Sequence, residues 1–241
     1  MLDQYLTQTN QLLSNPQATN ALYATSDLTD YINRARGQLA GDSESIRNYA
    51  TLPVVAGQRI YPFSAIVLAA PTAGISGVFN VRFAWYQVGQ GQKSLRARPW
   101  AWFAQYRLNN PVPPTGFPVV WSQYGQGDSG SIFIDPIPDT DYTLQLDTVC
   151  VPDALADDTT VEAIPYPWTD AVPYFAAYLA YLSSQNGARQ ADALRMKELY
   201  TEFKNKARTY SNPSILPYLY EQAPSPVRSS QLGLTPPSGG Q

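Results

Sequence analysis

The spacing of apolar and polar positions changes period twice along this chain. Over residues 3–14 the apolar positions Leu2, Tyr5, Leu6, Leu12 and Leu13 fall close to helical spacing, and Asn15-Pro16 ends the pattern. Ser26-Asp27 offers an N-cap for a second helix, in which Leu28, Tyr31, Ile32, Ala35 and Leu39 recur every three or four residues until a stop near Gly41. Asp42 and Ser43 can cap a third, short helix with Ile46 and Tyr49 on its inner side. From Thr51 the period is that of strands. Residues 52–56 and 59–66 read as a hairpin about Gly57-Gln58. Residues 78–88 form a long strand candidate, apolar at odd and even positions alike, so one face is expected on a core and the other on a neighbour. Residues 95–108, with Trp100, Trp102, Phe103 and Tyr106, are ambiguous, and Pro99 suits the first turn of a short helix. Strand signals return at 117–124, 131–135 and 142–151.

The helical period then resumes. Thr169 can cap a helix from Asp170 to about Gln185, with Pro173 tolerated in its first turn and Val172, Phe175, Ala176, Leu179 and Leu182 as one apolar stripe. After Asn186-Gly187 a long helix to about Tyr210 turns Leu194, Leu199, Tyr200, Phe203, Ala207 and Tyr210 inward, with Arg195, Lys197, Glu198, Glu202 and Lys206 outward. The expected class is therefore α+β, a helical bundle drawn from both ends of the chain with an inserted β-rich domain and an extended C-terminal tail. Its expected boundaries are 1–50, 51–165, 166–211 and 212–241. The last segment, broken by Pro213, Pro217, Pro224, Pro226 and Pro236-Pro237, has no means of building a core alone. Its Tyr218, Leu219, Tyr220, Leu232 and Leu234 are candidate anchors for docking in extended form on a partner.

Composition narrows the chemistry. The 241 residues include no histidine and one cysteine, against 17 tyrosines, 21 prolines and 5 tryptophans. Without histidine the commonest general base, proton shuttle and transition-metal ligand are missing together, which favours a protein that works by contact. A net charge of -3 with 15% charged residues leaves no basic footprint for sequence-specific DNA binding. A mildly acidic wall still suits a channel through which a duplex slides. Cys150 reads as a buried strand residue, the first residues lack the features of a signal peptide, and no apolar run approaches the length of a membrane span, so a soluble protein made in a reducing compartment is expected.

The short motifs resolve into turns. Gly127-Asp128-Ser129-Gly130 matches the surroundings of a protease serine, but no imidazole exists to take the proton, and a turn before the strand at 131–134 explains the same residues. Asp135, Asp139 and Asp141, and Asp153, Asp157 and Asp158, lack the spacing and glycine of an EF-hand loop and are expected as solvated turn carboxylates. Gly89-Gln90-Gly91 lacks the third glycine of a dinucleotide site. Arg96, Arg98 and Arg107 are too few to make the aromatic run a base-stacking platform, so Trp100 and Trp102 are assigned to core or subunit interface. No catalytic, cofactor-binding or metal residue is assigned.

In element order and in several short motifs the chain resembles the head-to-tail adaptor proteins of tailed bacteriophages, chiefly those with short tails. The motifs are the apolar-Asn-x-Ala helix Tyr31-Ile32-Asn33-Arg34-Ala35, the strand Gly116-Phe117-Pro118-Val119-Val120-Trp121, the apolar strand closing on Asp135-Pro136-Ile137-Pro138, and the helix Tyr174-Phe175-Ala176-Ala177-Tyr178-Leu179-Ala180-Tyr181. The resemblance covers about residues 1–211. It implies a homo-oligomeric ring, usually of twelve subunits, under the portal protein and above a tail nozzle or hub protein, with genomic DNA passing through and no membrane insertion. It also implies a virion protein of the head-tail junction, assembled in the host cytoplasm, and no cofactor. Two other readings stand beside it: a cell-wall hydrolase using paired carboxylates, for which Glu44, Glu162, Glu198, Glu202 and Glu221 show no obvious pairing, and an aromatic-rich receptor- or carbohydrate-binding tail protein, against which the helical frame argues.

Overall fold

Helices drawn from both ends of the chain enclose one apolar core, and a two-sheet β structure holds the second. The computed structural model describes residues 1–15, 22–88, 91–109, 114–184 and 189–211. The anchors Tyr218, Leu219, Tyr220, Leu232 and Leu234, the Gly89-Gln90 dipeptide and the Asn186-Gly187 turn lie outside the described residues. Within them the class is α+β, with α1 (Leu2–Leu13), α2 (Thr25–Ser43), α4 (Val172–Ser183) and α5 (Gln190–Ser211) as the helical part. Leu6, Leu13, Leu28, Ile32 and Leu39 meet Val172, Ala176, Ala177 and Ala180 in a shared core. The alanines lack side-chain bulk, which brings the α4 backbone close to α1 and α2 and turns the expected stripe: Ala176, Ala177 and Ala180 are wholly buried, while Leu182 is exposed.

The β structure contains a five-stranded antiparallel sheet and a four-stranded sheet. In the first, β3 (Val67–Leu68), β1 (Arg47–Val54), β9 (Tyr142–Pro152), β4 (Ile75–Val88) and β5 (Gly91–Ser94) lie in that order. In the second the order is β2 (Ile60–Pro62), β8 (Ser131–Asp135), β7 (Val120–Tyr124) and β6 (Arg96–Ala97), the last pair parallel. Leu52, Val54, Ala84, Leu144 and Leu146 of the first sheet pack with Tyr61, Trp121, Ile132 and Ile134 of the second. β8 is buried on both faces, because Ile132 and Ile134 enter this core while Phe133 turns to α3 (Trp100–Asn109). That explains its unbroken apolar run.

Several expectations give way to tertiary geometry. The third helix is absent: Ser43 Oγ donates back to the Leu39 carbonyl (2.6 Å) inside the last turn of α2, Glu44 takes a left-handed φ of 53°, and the chain enters β1. Tyr49 is consequently a strand residue, 68% exposed. The hairpin about Gly57 is also absent as such, since β1 pairs with β9 and β3 whereas β2 pairs with β8 in the other sheet. Neither Ser26-Asp27 nor Thr169 caps a helix; α2 starts from Ala24, and Thr169 lies buried in a 3-10 turn over residues 168–171 that leads into α4. α5 buries Ala193, Tyr200 and Ala207, one residue every seven, while Leu194 and Tyr210 are exposed. A helix packed on one side only shows a seam that narrow.

β4 accounts for its own mixed pattern. Register shifts between Ile75 and Gly77, between Val78 and Asn80 and between Val81 and Phe83 reset the alternation three times. Val78, Val81, Ala84 and Tyr86 thereby all face the inter-sheet core, and Phe83 is left on the outside. At the turn before β8, Gly127 holds a φ of 57° and a Cβ on Gly130 would run into the Phe63 ring, so the Gly-Asp-Ser-Gly run is a turn packed against an aromatic side chain.

Candidate interaction surfaces

Three groupings remain once the core is accounted for: a buried polar clamp, an aromatic helix on one sheet, and an aromatic outer face on the other. The clamp joins α1 and α2 to the loop after β9. Arg36, 1% exposed, donates from Nε and Nη2 to the two Glu162 carboxylate oxygens at 2.9 and 2.8 Å and from Nη1 to the Asp153 carbonyl at 2.5 Å. Asn33 treats Leu155 as a strand neighbour would, accepting from its N–H at 2.8 Å and donating to its carbonyl at 3.1 Å. The Tyr5 hydroxyl and the Ile164 N–H complete the Glu162 shell, each at 2.9 Å. The Asn-x-Ala signature thus has a physical role, with Ala35 wholly buried beside the amide that holds the loop. Glu162 pairs with a guanidinium and not with a second carboxylate.

Four of the aspartates singled out by sequence are held by hydrogen bonds or an ion pair, and Asp135 is buried where a solvated turn carboxylate was expected. Asp135 pairs with Arg59 at 2.6 Å, Asp139 accepts from the Tyr142 hydroxyl, and Asp141 accepts from the Ala56 N–H at 2.8 Å. Asp157 accepts from both the N–H and the hydroxyl of Thr159 and from the N–H of Thr160; these bonds, led by the Thr159 hydroxyl, hold its carboxyl below the usual range. Among the described residues no group of three His, Cys, Asp or Glu side chains is placed to hold a metal ion, and no helix is long and apolar enough to cross a membrane.

Burial gives the helical core a pH dependence. The Tyr5 phenol is pushed up by burial first and by the Glu162 charge second, and the Tyr200 phenol by burial and then by Asp42, whose carboxylate accepts from it at 3.3 Å. An unfolded tyrosine titrates near about 10. Because both folded values lie above that, the stability they contribute is complete below pH of about 10 and declines as pH rises beyond it. We expect a urea midpoint that holds from neutral pH to about 9 and falls above about 10, with a shallower fall in a Tyr5→Phe, Tyr200→Phe double variant. Equal alkaline slopes for the two proteins would contradict this.

On the four-stranded sheet, α3 packs through Phe103, which is wholly buried against Phe133 at a ring separation of 5.9 Å. Trp100 is half-buried, its ring 4.3 Å from that of Phe133 and 5.1 Å from that of Tyr124. Trp102 is exposed, with the Arg98 guanidinium 5.2 Å from its ring centre. The two tryptophans expected at an interface are therefore on one helix with different duties, Trp100 joining α3 to the sheet and Trp102 facing outward.

The five-stranded sheet carries the group that the sequence reading did not single out. Tyr49, Asp147 and Phe83 stand in one cross-strand row. The Tyr49 and Trp85 rings meet edge-on at 6.3 Å, and Phe83 lies 5.7 Å from Trp85. Tyr49 is 68% exposed and Phe83 47%. The signal was the apolar occupancy of both faces of β4; Tyr49 was hidden by its assignment to a helix.

The family described as SU10 adaptor protein matches residues 3–217. No curated protein matches the chain. Among solved structures, one described as the neck of an empty GTA particle computed with C6 symmetry is 13% identical, with 81% of this chain and 87% of that chain covered and a TM-score of 0.26, a superposition too loose to relate the two folds.

Proposed function

The chain belongs to the SU10 adaptor protein family, and we propose from that premise that it is a structural adaptor of a tailed-phage particle, joining head to tail. The match across residues 3–217 is the observation that carries the reading. A structural role by contact also agrees with the absence of histidine and with carboxylates engaged in holding loops. Copies of the chain form a closed ring that binds the portal protein on one side and a tail nozzle or hub protein on the other, and the genome passes through without sequence-specific contacts. Twelve copies is the stoichiometry we assign, with assembly in the host cytoplasm. No catalytic step belongs to this role.

In this reading 1–50 and 166–211 act as one helical frame, 51–165 as the β-rich domain and 212–241 as a docking tail. Trp102 at the surface, Trp100 behind it, and the tail anchors Tyr218, Leu219, Tyr220, Leu232 and Leu234 supply partner contacts, aromatic side chains giving large contact area at small entropic cost. Heterologous ring contacts close only at the right rotation per copy, so the protein alone remains a monomer until it meets its portal. Native mass spectrometry of the mixture should then show one large complex of fixed stoichiometry. Persistent monomer beside intact portal would overturn the assignment.

A further inference from the structure

The outer face of the five-stranded sheet is built like half of an interface. Side chains at 47, 49 and 51 of β1, 145 and 147 of β9 and 83 and 85 of β4 share this face by register. Tyr49 and Phe83 share one cross-strand row beside the half-buried Trp85 of the next, and Val67, paired opposite Thr51, is 58% exposed beside them. Gln92, Ser94 and Asp147 border the groove between the rings. Singly exposed apolar residues are ordinary on a protein surface, but three rings from two strands of one sheet, gathered with Val67 of a third and polar groups at the margin, have the composition of a binding surface.

The place where α5 ends points to the occupant. The Ser211 carbonyl accepts from Arg47 Nη1 and from Arg82 Nη1, each at 3.4 Å, and Arg47 stands on the outer face two residues before Tyr49. The helix therefore delivers the chain to the rim of this face. The 30 residues that follow Ser211 include Ile215 and Leu216 between Pro213 and Pro217, and Tyr218, Leu219 and Tyr220 between Pro217 and Pro224. Proline-punctuated apolar peptides are the ligands that aromatic grooves take, because their extended form loses little entropy on docking. Fully extended, the seven residues from Ser211 to Tyr218 reach up to about 25 Å, enough to carry these anchors past the rim and onto a copy packed beside it.

We propose that in the assembled ring the 212–241 segment of a neighbouring copy lies extended over this face, with Tyr218, Leu219 and Tyr220 against Tyr49, Phe83 and Trp85. The proposal rests on the adaptor reading and names the acceptor surface for the tail. Each copy then carries a donor peptide and a separate acceptor face, the arrangement that heterologous ring closure requires. Polar side chains at the border, Gln92 and Ser94 among them, are available to the peptide groups of the incoming segment.

The test uses full-length protein assembled with its portal, with a photoreactive benzoylphenylalanine in place of Tyr218 and equal amounts of light and heavy-isotope chains. Irradiation should join position 218 to residues 47–51 or 83–87, and about half of the joined peptides should be mixed light and heavy, as random neighbours require. Joined peptides of a single isotope only, or products on the portal, overturn the proposal while leaving the adaptor reading in place; failure to form any complex with portal overturns both. A Tyr49→Ser, Phe83→Ser variant, changed only at exposed rings, should keep its urea midpoint and need about tenfold or more protein for assembly, the loss expected when an aromatic anchor site is removed. Unchanged assembly of that variant would also sink the idea.

Discussion

Replacing Arg36 by alanine should lower the unfolding free energy by about 3–5 kcal/mol, the usual cost of breaking a buried ion pair from one side. Arg36 and Glu162 are 1% and 7% exposed in their side chains, and the guanidinium satisfies both carboxylate oxygens as well as the Asp153 carbonyl. Removing it leaves a carboxylate with the Tyr5 hydroxyl and the Ile164 N–H as its remaining partners, and leaves the Asp153 carbonyl without this donor. A chain of this kind has a total stability of about 5–15 kcal/mol, so the variant loses a large share of it. Equilibrium urea unfolding followed by tryptophan fluorescence measures the change. Replacing both partners together, as Arg36→Met with Glu162→Leu, should recover most of the loss, since neither charge is then buried alone. A loss below about 1 kcal/mol for Arg36→Ala would mean that the clamp opens to water in solution.

A loss of about 3–5 kcal/mol is likewise expected for Phe103→Ala, for a different reason. Phe103 is fully enclosed by Val120, Phe133 and Trp100, so truncation removes a large apolar contact and leaves a void lined by rings. Its face also carries the Arg59 guanidinium at 4.6 Å, the partner of Asp135 in a second buried ion pair. Losing the ring opens one side of that pair to water. Because α3 is fixed to β7 and β8 through this cluster, the variant should also show changed tryptophan emission before the main transition, as Trp100 comes loose from Phe133. Phe103→Leu keeps most of the volume and should cost about 1.5 kcal/mol or less. Equal stability of the alanine variant and the parent would show that α3 is not held by this contact.

Assembly makes opposite demands on these two regions. In the proposed ring the clamp and the Phe103 cluster hold each protomer rigid, whereas Tyr49, Phe83 and Trp102 are exposed and are the side chains we assign to partner contacts. Substitutions at the first group should act through unfolding, and those at the second through assembly at unchanged stability. Measuring both quantities on the same variants separates the two roles.

Much of this architecture is legible in local pattern, because helix and strand periods are set by which side chains share a face. Residues 2–13, 131–135 and 142–152 fall close to where their alternation places them, and Pro99 marks the start of α3. The resemblance to phage adaptors was also readable, since it rests on element order and short motifs. Partnership between distant segments was not. Nothing near Glu162 in sequence indicates Arg36, 126 residues away. Ser43 and Glu44 could open a helix by composition, yet the sheet draws the next residues into β1, and that choice moves Tyr49 from a supposed core to an exposed row beside Asp147 and Phe83. In β4 the register shifts convert an ambiguous run into one buried face and one aromatic face. The periods, the order of elements and the chemistry the chain lacks are all local properties and can be read from the residues in order. Which charges pair and which rings stay exposed follows only from the packed layers, because burial depends on distant segments and local spacing does not contain it.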